Sequence, residues 1–317
     1  MDEYFGRDTQ VVFKVNSYDE VNNLPRNTND MKLEWNFNQK LKNLPNNIHT
    51  LILNVSFNKK IKNLPEHLHT LILGYYFRGK LETLPKNLHT LELGWGFNQK
   101  LENLSINLHT LILGSKFNQK LENLPDNLHT LELGWSFNKK LENLPNNLHT
   151  LKLGWNFNQK LENLPNNLHT LELGLVFEKK IGNEFDKLYH MELRGNFNQK
   201  LENLPNNLHT LKLSWDFNQK LENLPNNLHT LILGYNFNQK LENLPDNLHT
   251  LALDHKFDQK LEDLPHGLVI LKISKYNHNN IDYLSNIYIM DIYSYTTGII
   301  INIKSRKGMF IKSSNKL

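Results

Sequence analysis

The chain of 317 residues contains no cysteine. That excludes a disulfide framework and thiolate chemistry, and it favours a reducing compartment, because secreted solenoids often staple their ends with cystines. Long apolar runs are missing as well. The most apolar stretch, Gly298 to Ile303 (GIIINI), is far too short to cross a bilayer. The first residues, MDEYFGRDTQ, hold two acids and no apolar run, so they do not read as a signal peptide. An excess of one charge is also lacking: 36 basic residues face 32 acidic ones, a net of +4, which argues for no polyanion partner. The expectation is a cytoplasmic chain that meets neither membrane nor nucleic acid and is monomeric. Proline is restricted rather than rare: all eleven, from Pro25 to Pro265, occupy one recurring place.

That place belongs to a repeat. Phenylalanine falls at 37, 57, 77 and every twentieth residue to 257, with no insertion. With Phe as repeat position 1, Leu or Ile fills position 5 throughout, Leu fills position 8 except at Glu184, and Leu, Ile or Met fills positions 12, 15 and 17. Partial units flank the twelve full ones, the last with Ile287, Met290 and Ile292 slipped by one residue. Twenty residues cannot hold a strand, an α-helix and two connections. They suffice for a strand, a turn and an extended return, which is one coil of a solenoid. Leu-His-Thr-Leu-x-Leu-Gly reads as the strand, with alternating apolar residues. Asn-Leu-Pro starts the return, since proline lacks an amide hydrogen and holds φ near −65°. The predicted fold is a leucine-rich-repeat-like β-solenoid of 20-residue coils, one parallel sheet with non-helical return segments and strand or hairpin caps. Its domain division is residues 1–16 as an N-terminal cap strand (Thr9 to Val15), 17–293 as solenoid, and 294–317 as a C-terminal hairpin turning at Ser305 to Gly308, all within one structural domain.

The pattern LxxLxL…LxNLPxxL resembles the leucine-rich repeats of the short bacterial type with an LP step. The unit opening on Phe-Asn is similar to the FNIP repeat family, leucine-rich-repeat-like proteins of amoebae and of the giant viruses that infect them. The resemblance spans about Ser17 to Ile292. It implies protein–protein interaction without known catalysis, in the host cytoplasm if the chain is viral. Family members often carry an F-box that recruits a ubiquitin ligase. Only about sixteen residues precede the first partial unit here, and they read as strand, so substrate recognition for a ligase is kept as an alternative.

Several columns of like residues could carry function. Histidine recurs at 49, 69, 89, 109, 129, 149, 169, 209, 229 and 249. Neighbours about 5 Å apart could share a metal, and metal binding is the second alternative. A site needs three or four converging ligands, and a catalytic group is placed once against a nucleophile or second acid. Ten equivalent copies read as architecture, so no catalytic residue, metal ligand or cofactor is assigned. Lysine fills position 4 of all twelve units, and glutamate fills position 6 of nine. The two columns are expected to cross-pair as a solvated ladder in which each pair contributes little. The first two units hold Lys42 and Lys62 instead of glutamate, a small basic patch. The Asn columns at positions 2 and 7 are expected to satisfy turn backbone through their amides, one of them as an inward ladder. The sequons at Asn54 and Asn103 read as chance matches in an Asn-rich chain.

The framework hardly changes between units, whereas positions 10, 16, 19 and 20 change freely. Position 16 lies between two inward leucines and therefore faces outward; it includes Glu92, Glu132, Lys152, Glu172 and Lys212. Position 19 holds every tryptophan, Trp35, Trp95, Trp135, Trp155 and Trp215, with Tyr75 and Tyr235. Large aromatics beside an open sheet are typical interface anchors; the competing reading is that the rings only stack on one another. These twelve residues form the expected surface for an unknown protein partner of a non-catalytic scaffold. One unit, Phe177 to Asn196, breaks the pattern with Glu178, Gly182, Glu184, Phe185 and Arg194, and is read as drift rather than as a specialised contact.

Overall fold

A computed structural model of the chain describes residues 13–25, 28–34, 37–179, 181, 186–261, 264–273, 289–293 and 300–303. Trp35, Thr9 to Val12, the turn expected at Ser305 to Gly308, and Gly182, Glu184 and Phe185 lie outside the described residues. The chain divides into two compact units, Met1–Leu148 and His149–Leu317.

In the first unit, β1 (Phe13–Val15) is followed by a short helix α1 (Tyr18–Asn22), then β2 (Asp30–Leu33), β3 (Thr50–Ile52), β4 (Thr70–Ile72), β5 (Thr90–Glu92), β6 (Thr110–Ile112) and β7 (Thr130–Glu132). The seven strands lie in chain order, each parallel to the next, and from β2 onward each residue faces the one twenty later. The second unit holds β8 (Thr150–Lys152), β9 (Thr170–Leu173), β10 (His190–Leu193), β11 (Thr210–Lys212), β12 (Thr230–Ile232), β13 (Thr250–Leu253), β14 (Ile270–Ile273), β15 (Ile289–Tyr293) and β16 (Ile300–Ile303). Strands β8 to β15 are again parallel and in order. Leu271 faces Met290, the one-residue slip visible in the sequence. The last pair is antiparallel, with Met290 opposite Ile303.

Helix α1 was not expected, because the corresponding part of every full coil is extended. Its cause is local. Ser17 accepts a hydrogen bond from the Glu20 amide at 3.3 Å, and the Glu20 carboxylate accepts one from the Asn16 amide at 2.7 Å. The Ser17 side chain thus satisfies one donor that a helix start otherwise leaves open, and Glu20 ties down the residue before the cap. The Phe-Asn-Gln-Lys of the later coils offers no such cap.

Each coil is closed by two turns and several ladders. The Phe amide donates to the carbonyl three residues back, as Phe77 does to Gly74 at 3.1 Å, and the position-12 amide donates to the proline carbonyl, as Leu68 does to Pro65 at 3.1 Å. Between turns the return has no strand, yet buried backbone groups must still find partners. Side chains supply them. The position-2 Asn oxygen accepts from the amide twenty residues on, as in Asn118 to Asn98 at 2.9 Å and Asn218 to Asn198 at 2.8 Å. A second ladder at position 11, absent from the sequence reading, donates to the preceding coil, as Asn127 does to the Ile106 carbonyl at 3.0 Å and Asn227 to the Asn206 carbonyl at 2.9 Å. Position 2 forms the ladder expected of one Asn column, but on exposed or half-exposed side chains, which corrects the expectation of an inward one. Position 7 is chosen for its backbone instead. Asn43, Asn63, Asn103 and six equivalents have φ between 49° and 57°, a left-handed conformation that Asn tolerates better than other residues with a β-carbon.

The core is columnar. All twelve repeat phenylalanines are fully buried, as are the leucines of positions 12, 15 and 17, whereas the leucine of position 8 is only half-buried in most coils. Successive Phe rings stand 6.2 to 6.3 Å apart in the first unit. The imidazoles at the strand start stand 5.0 to 5.1 Å apart. Within this unit the coils therefore splay toward the Phe side, and the sheet lies on the shorter, inner side. The second unit shows the same inequality, 6.2 to 6.4 Å against 4.6 to 5.1 Å.

Candidate interaction surface

The strand pattern turns positions 14 and 16 outward and positions 15 and 17 inward, so the three-residue strands β4 to β8, β11 and β12 read half-buried, buried, half-buried. Position 16 forms the centre line of the outward face, as the alternation predicts. In the first unit this line runs Ile52, Ile72, Glu92, Ile112 and Glu132. Burial and the Glu132 charge push the Glu92 carboxyl up.

The second unit resolves the same position differently. Glu172 receives Lys152 at 3.6 Å and the Arg194 guanidinium at 2.7 Å. Glu192 receives Arg194 at 2.8 Å, Lys212 at 3.5 Å and His190 at 4.0 Å. Burial opposes ionisation of Glu192, but the Arg194 and Lys212 partners outweigh it and hold the carboxyl below the usual range. Three of these participants escaped the expected site: Arg194, Glu192 and His190. The signal was present, since Arg194 replaces a strand-end glycine and His190 a strand threonine within the irregular unit. At these two positions the unit forms ion pairs with Glu172 and Glu192. Three of the five pairs, Lys152–Glu172, Arg194–Glu172 and Lys212–Glu192, cross coils.

The aromatic column lies in the turn after the strand. Tyr75 and Trp95 stack at 4.8 Å and 6°, with the Lys116 ammonium 4.1 Å above the Trp95 ring. Trp215 and Tyr235 stack at 4.9 Å, and Tyr235 continues to His255 at 5.4 Å. Stacking does not hide the rings: Trp215 is 62% exposed, Trp135 48% and Trp155 43%. Tyr76, one position on, stands edge-on to Tyr75 at 4.8 Å. It too is exposed and belongs to the same patch.

The histidines stack face to face. His49, His69, His89, His109 and His129 form one run, and His209, His229 and His249 continue from Tyr189 in the second unit. Parallel rings 5 Å apart aim their lone pairs side by side rather than at one point, which does not suit chelation. No group of three or more His, Asp or Glu able to hold a metal ion occurs among the described residues. The described depressions are open grooves on the return side, walled by residues such as Lys220, Glu222, Asn223 and Gln239. The expected Lys–Glu ladder is present there in part: Lys60 pairs with Glu82, and Lys200 with Glu222 at 2.9 Å.

Burial lowers the pKa of His69, and the neighbouring His49 and His89 charges lower it further; burial and His229 do the same at His209. Burial and the Lys212 charge lower His190, against the opposing pull of Glu192 and Glu172. A histidine whose folded pKa lies below its unfolded value of about 6.5 favours the fold fully only while neutral. Its contribution is present above about pH 6.5 and lost as pH falls below that value. Glu192 and Glu222 are held below the usual carboxylate range, whereas the raised Glu92 carboxyl favours the fold as pH falls and offsets part of the loss. The thermal midpoint at pH 5 is expected to lie a few degrees below that at pH 7.5; equal midpoints in scanning calorimetry would refute the stacking argument.

Comparison with known proteins gives a consistent picture. The FNIP Repeat family model matches residues 37–76, 97–136, 117–144, 137–176, 197–236 and 222–256. No curated protein matches the sequence. Among solved structures, CroV588 of the giant virus CroV, described as a novel circular leucine-rich-repeat protein, is similar with a TM-score of 0.72 and 35% identity over 86% of this chain and 47% of that one. The chain thus spans about half the length of CroV588. YopM from Yersinia enterocolitica WA-314 is similar with a TM-score of 0.50 and 21% identity, over 80% of this chain and 66% of that one, a likeness of fold alone.

Proposed function

This chain belongs to the FNIP repeat family, whose leucine-rich-repeat-like solenoid is typically non-catalytic, and from that premise we propose that it is a binding scaffold whose protein partner sits on the outward sheet face and its aromatic rim. One observation carries the reading. Everything that points inward is nearly constant from coil to coil, while the outward positions 16 and 19 change in size and charge and leave large rings exposed. Aromatic side chains that are rigid yet half-exposed suit interface anchors, because little side-chain entropy is lost when they are covered. The partly buried cluster of Glu172, Arg194, Glu192 and Lys212 presents fixed charges beside them, and fixed charges favour specificity. No catalytic role is proposed, since the exposed face shows repeated equivalent groups rather than one nucleophile set against one base. The absence of cysteine supports a reducing compartment.

The test is capture of partners from the native cell followed by mass spectrometry, with the Trp135→Ala/Trp155→Ala variant beside the parent. Circular dichroism and melting should be unchanged, because these rings lie outside the core. Recovery of specific partners should fall at least about tenfold, the scale of losing one or two anchors. A return-side control, Lys140→Ala, should keep them. Equal recovery by the tryptophan variant would overturn the reading.

A further inference from the structure

Charge is unevenly spread along the chain. Residues 37–86 hold eight lysines and arginines against Glu66 and Glu82, an excess of six, although the whole chain has a net charge of only +4. Five of the lysines come from two columns of the return: Lys40, Lys60 and Lys80 at position 4, Lys42 and Lys62 at position 6. With Arg78 they are all exposed. Nine units set glutamate at position 6 beside the position-4 lysine; the first two repeat lysine instead. The single carboxylate present, Glu82, pairs with Lys60, and the charges of Lys62 and Lys80 also hold it below the usual range. Three cations thus converge on one anion, an excess of two positive charges.

We infer that the return side of the coils spanning residues 37–86 is a docking surface for an acidic, extended peptide segment of a partner protein. It is a second surface, apart from the sheet face. Spacing suits an extended ligand. The coils splay on the return side, where successive Phe rings are 6.3 and 6.2 Å apart. In an extended peptide, side chains of one face recur about every 6.6–6.8 Å. A strand with carboxylates at alternate residues, laid along the stack, offers one anion to each coil in turn. Nucleic-acid bases need rings to stack on, and positions 2 to 11 of these coils contain no Phe, Tyr or Trp. Each exposed pair contributes little, so binding is the sum of several contacts and is steeply salt-dependent.

The test uses the full chain and a fluorescein-labelled ten-residue peptide of alternating Glu and Ser, followed by anisotropy at low salt. The expected result is saturable binding in the micromolar range that weakens at least about tenfold on raising salt from 50 to 300 mM. The variant Lys42→Glu/Lys62→Glu installs the residue that nine other coils carry, so it should fold, as circular dichroism will check. It should bind the peptide at least about tenfold more weakly, a change of about 1.4 kcal/mol. No binding by the parent, or equal binding by the variant, overturns the inference. Tighter binding of a single-stranded oligonucleotide or of phosphatidylserine vesicles also overturns it, in favour of a phosphate-bearing ligand. The Trp135→Ala/Trp155→Ala variant should bind the peptide normally; if it does not, the peptide is on the sheet face and the inference fails. Failure here leaves the sheet-face reading untouched, and the reverse also holds.

Discussion

Phe117→Ala should lower stability by about 3–5 kcal/mol, the range for deleting a buried aromatic ring. The ring is fully buried and stands between Phe97 at 6.3 Å and Phe137 at 6.2 Å. Collapse into the vacated space is hindered on both sides. Strand β6 is held by its neighbours β5 and β7, and the turn is held by the Asn118 amide bond to Asn98 and the Asn138 amide bond to Asn118. The site should therefore cost near the top of the range. In a solenoid each coil contacts only its neighbours, so the damage should also be local. Urea unfolding measures the loss, and hydrogen exchange locates it: amides of β5 to β7 should lose protection while those of β3 keep theirs. A loss under about 1.5 kcal/mol, or one spread evenly over the unit, would contradict the columnar picture of the core.

Gly114→Ala should cost about 1–3 kcal/mol, the usual range for overpacking, although it adds only a methyl group. A β-carbon built there lies 1.9 Å from the Gly94 carbonyl oxygen and 2.6 Å from that of Leu93. Both obstacles are backbone atoms and cannot rotate away. The repeated glycine is therefore a matter of close approach between coils, not of left-handed backbone. Coils that depart from glycine repay the departure: the Ser214 hydroxyl donates to the Phe197 carbonyl at 2.8 Å, and the Asn54 oxygen accepts from the Ser56 and Phe57 amides at 2.7 and 3.0 Å. Alanine can do neither. Ser115→Ala, one residue on, should stay within about 0.5 kcal/mol. Comparable denaturant midpoints for the two variants would defeat the argument. The same hydrogen bonds explain why the sequon at Asn54 cannot serve as a glycan acceptor in the folded chain, since its side chain is buried and engaged.

Much of the interaction surface was legible in the sequence, because alternation alone sends Glu92, Glu132, Lys152, Glu172 and Lys212 outward. The partnerships were not. Glu172 and Arg194 are 22 residues apart and meet because parallel strands place β9 beside β10 and the arginine then reaches back across the coil. The choice between stacking and exposure for the aromatic column was likewise open to sequence. The structure shows both at once for Trp215, stacked on Tyr235 and still mostly exposed, because a ring has two faces and an edge.

A period of twenty without insertion determined by itself which residues stack on which, since equal coils can pack only in register. It therefore set the Phe and Leu columns, the strand of Thr-Leu-x, the extended return at proline, and the position-4 lysine column. Only the tertiary structure decided what three chemically identical asparagine columns do. Position 2 accepts from the next coil, position 11 donates to the previous one, and position 7 supplies a left-handed turn. The amide side chain can serve each role, and the local backbone path, fixed by how neighbouring coils approach, selects among them. The same holds for the splay of the coils, recorded in Phe rings 6.2 to 6.3 Å apart against imidazoles 5.0 to 5.1 Å apart, a difference that an even period of twenty does not contain.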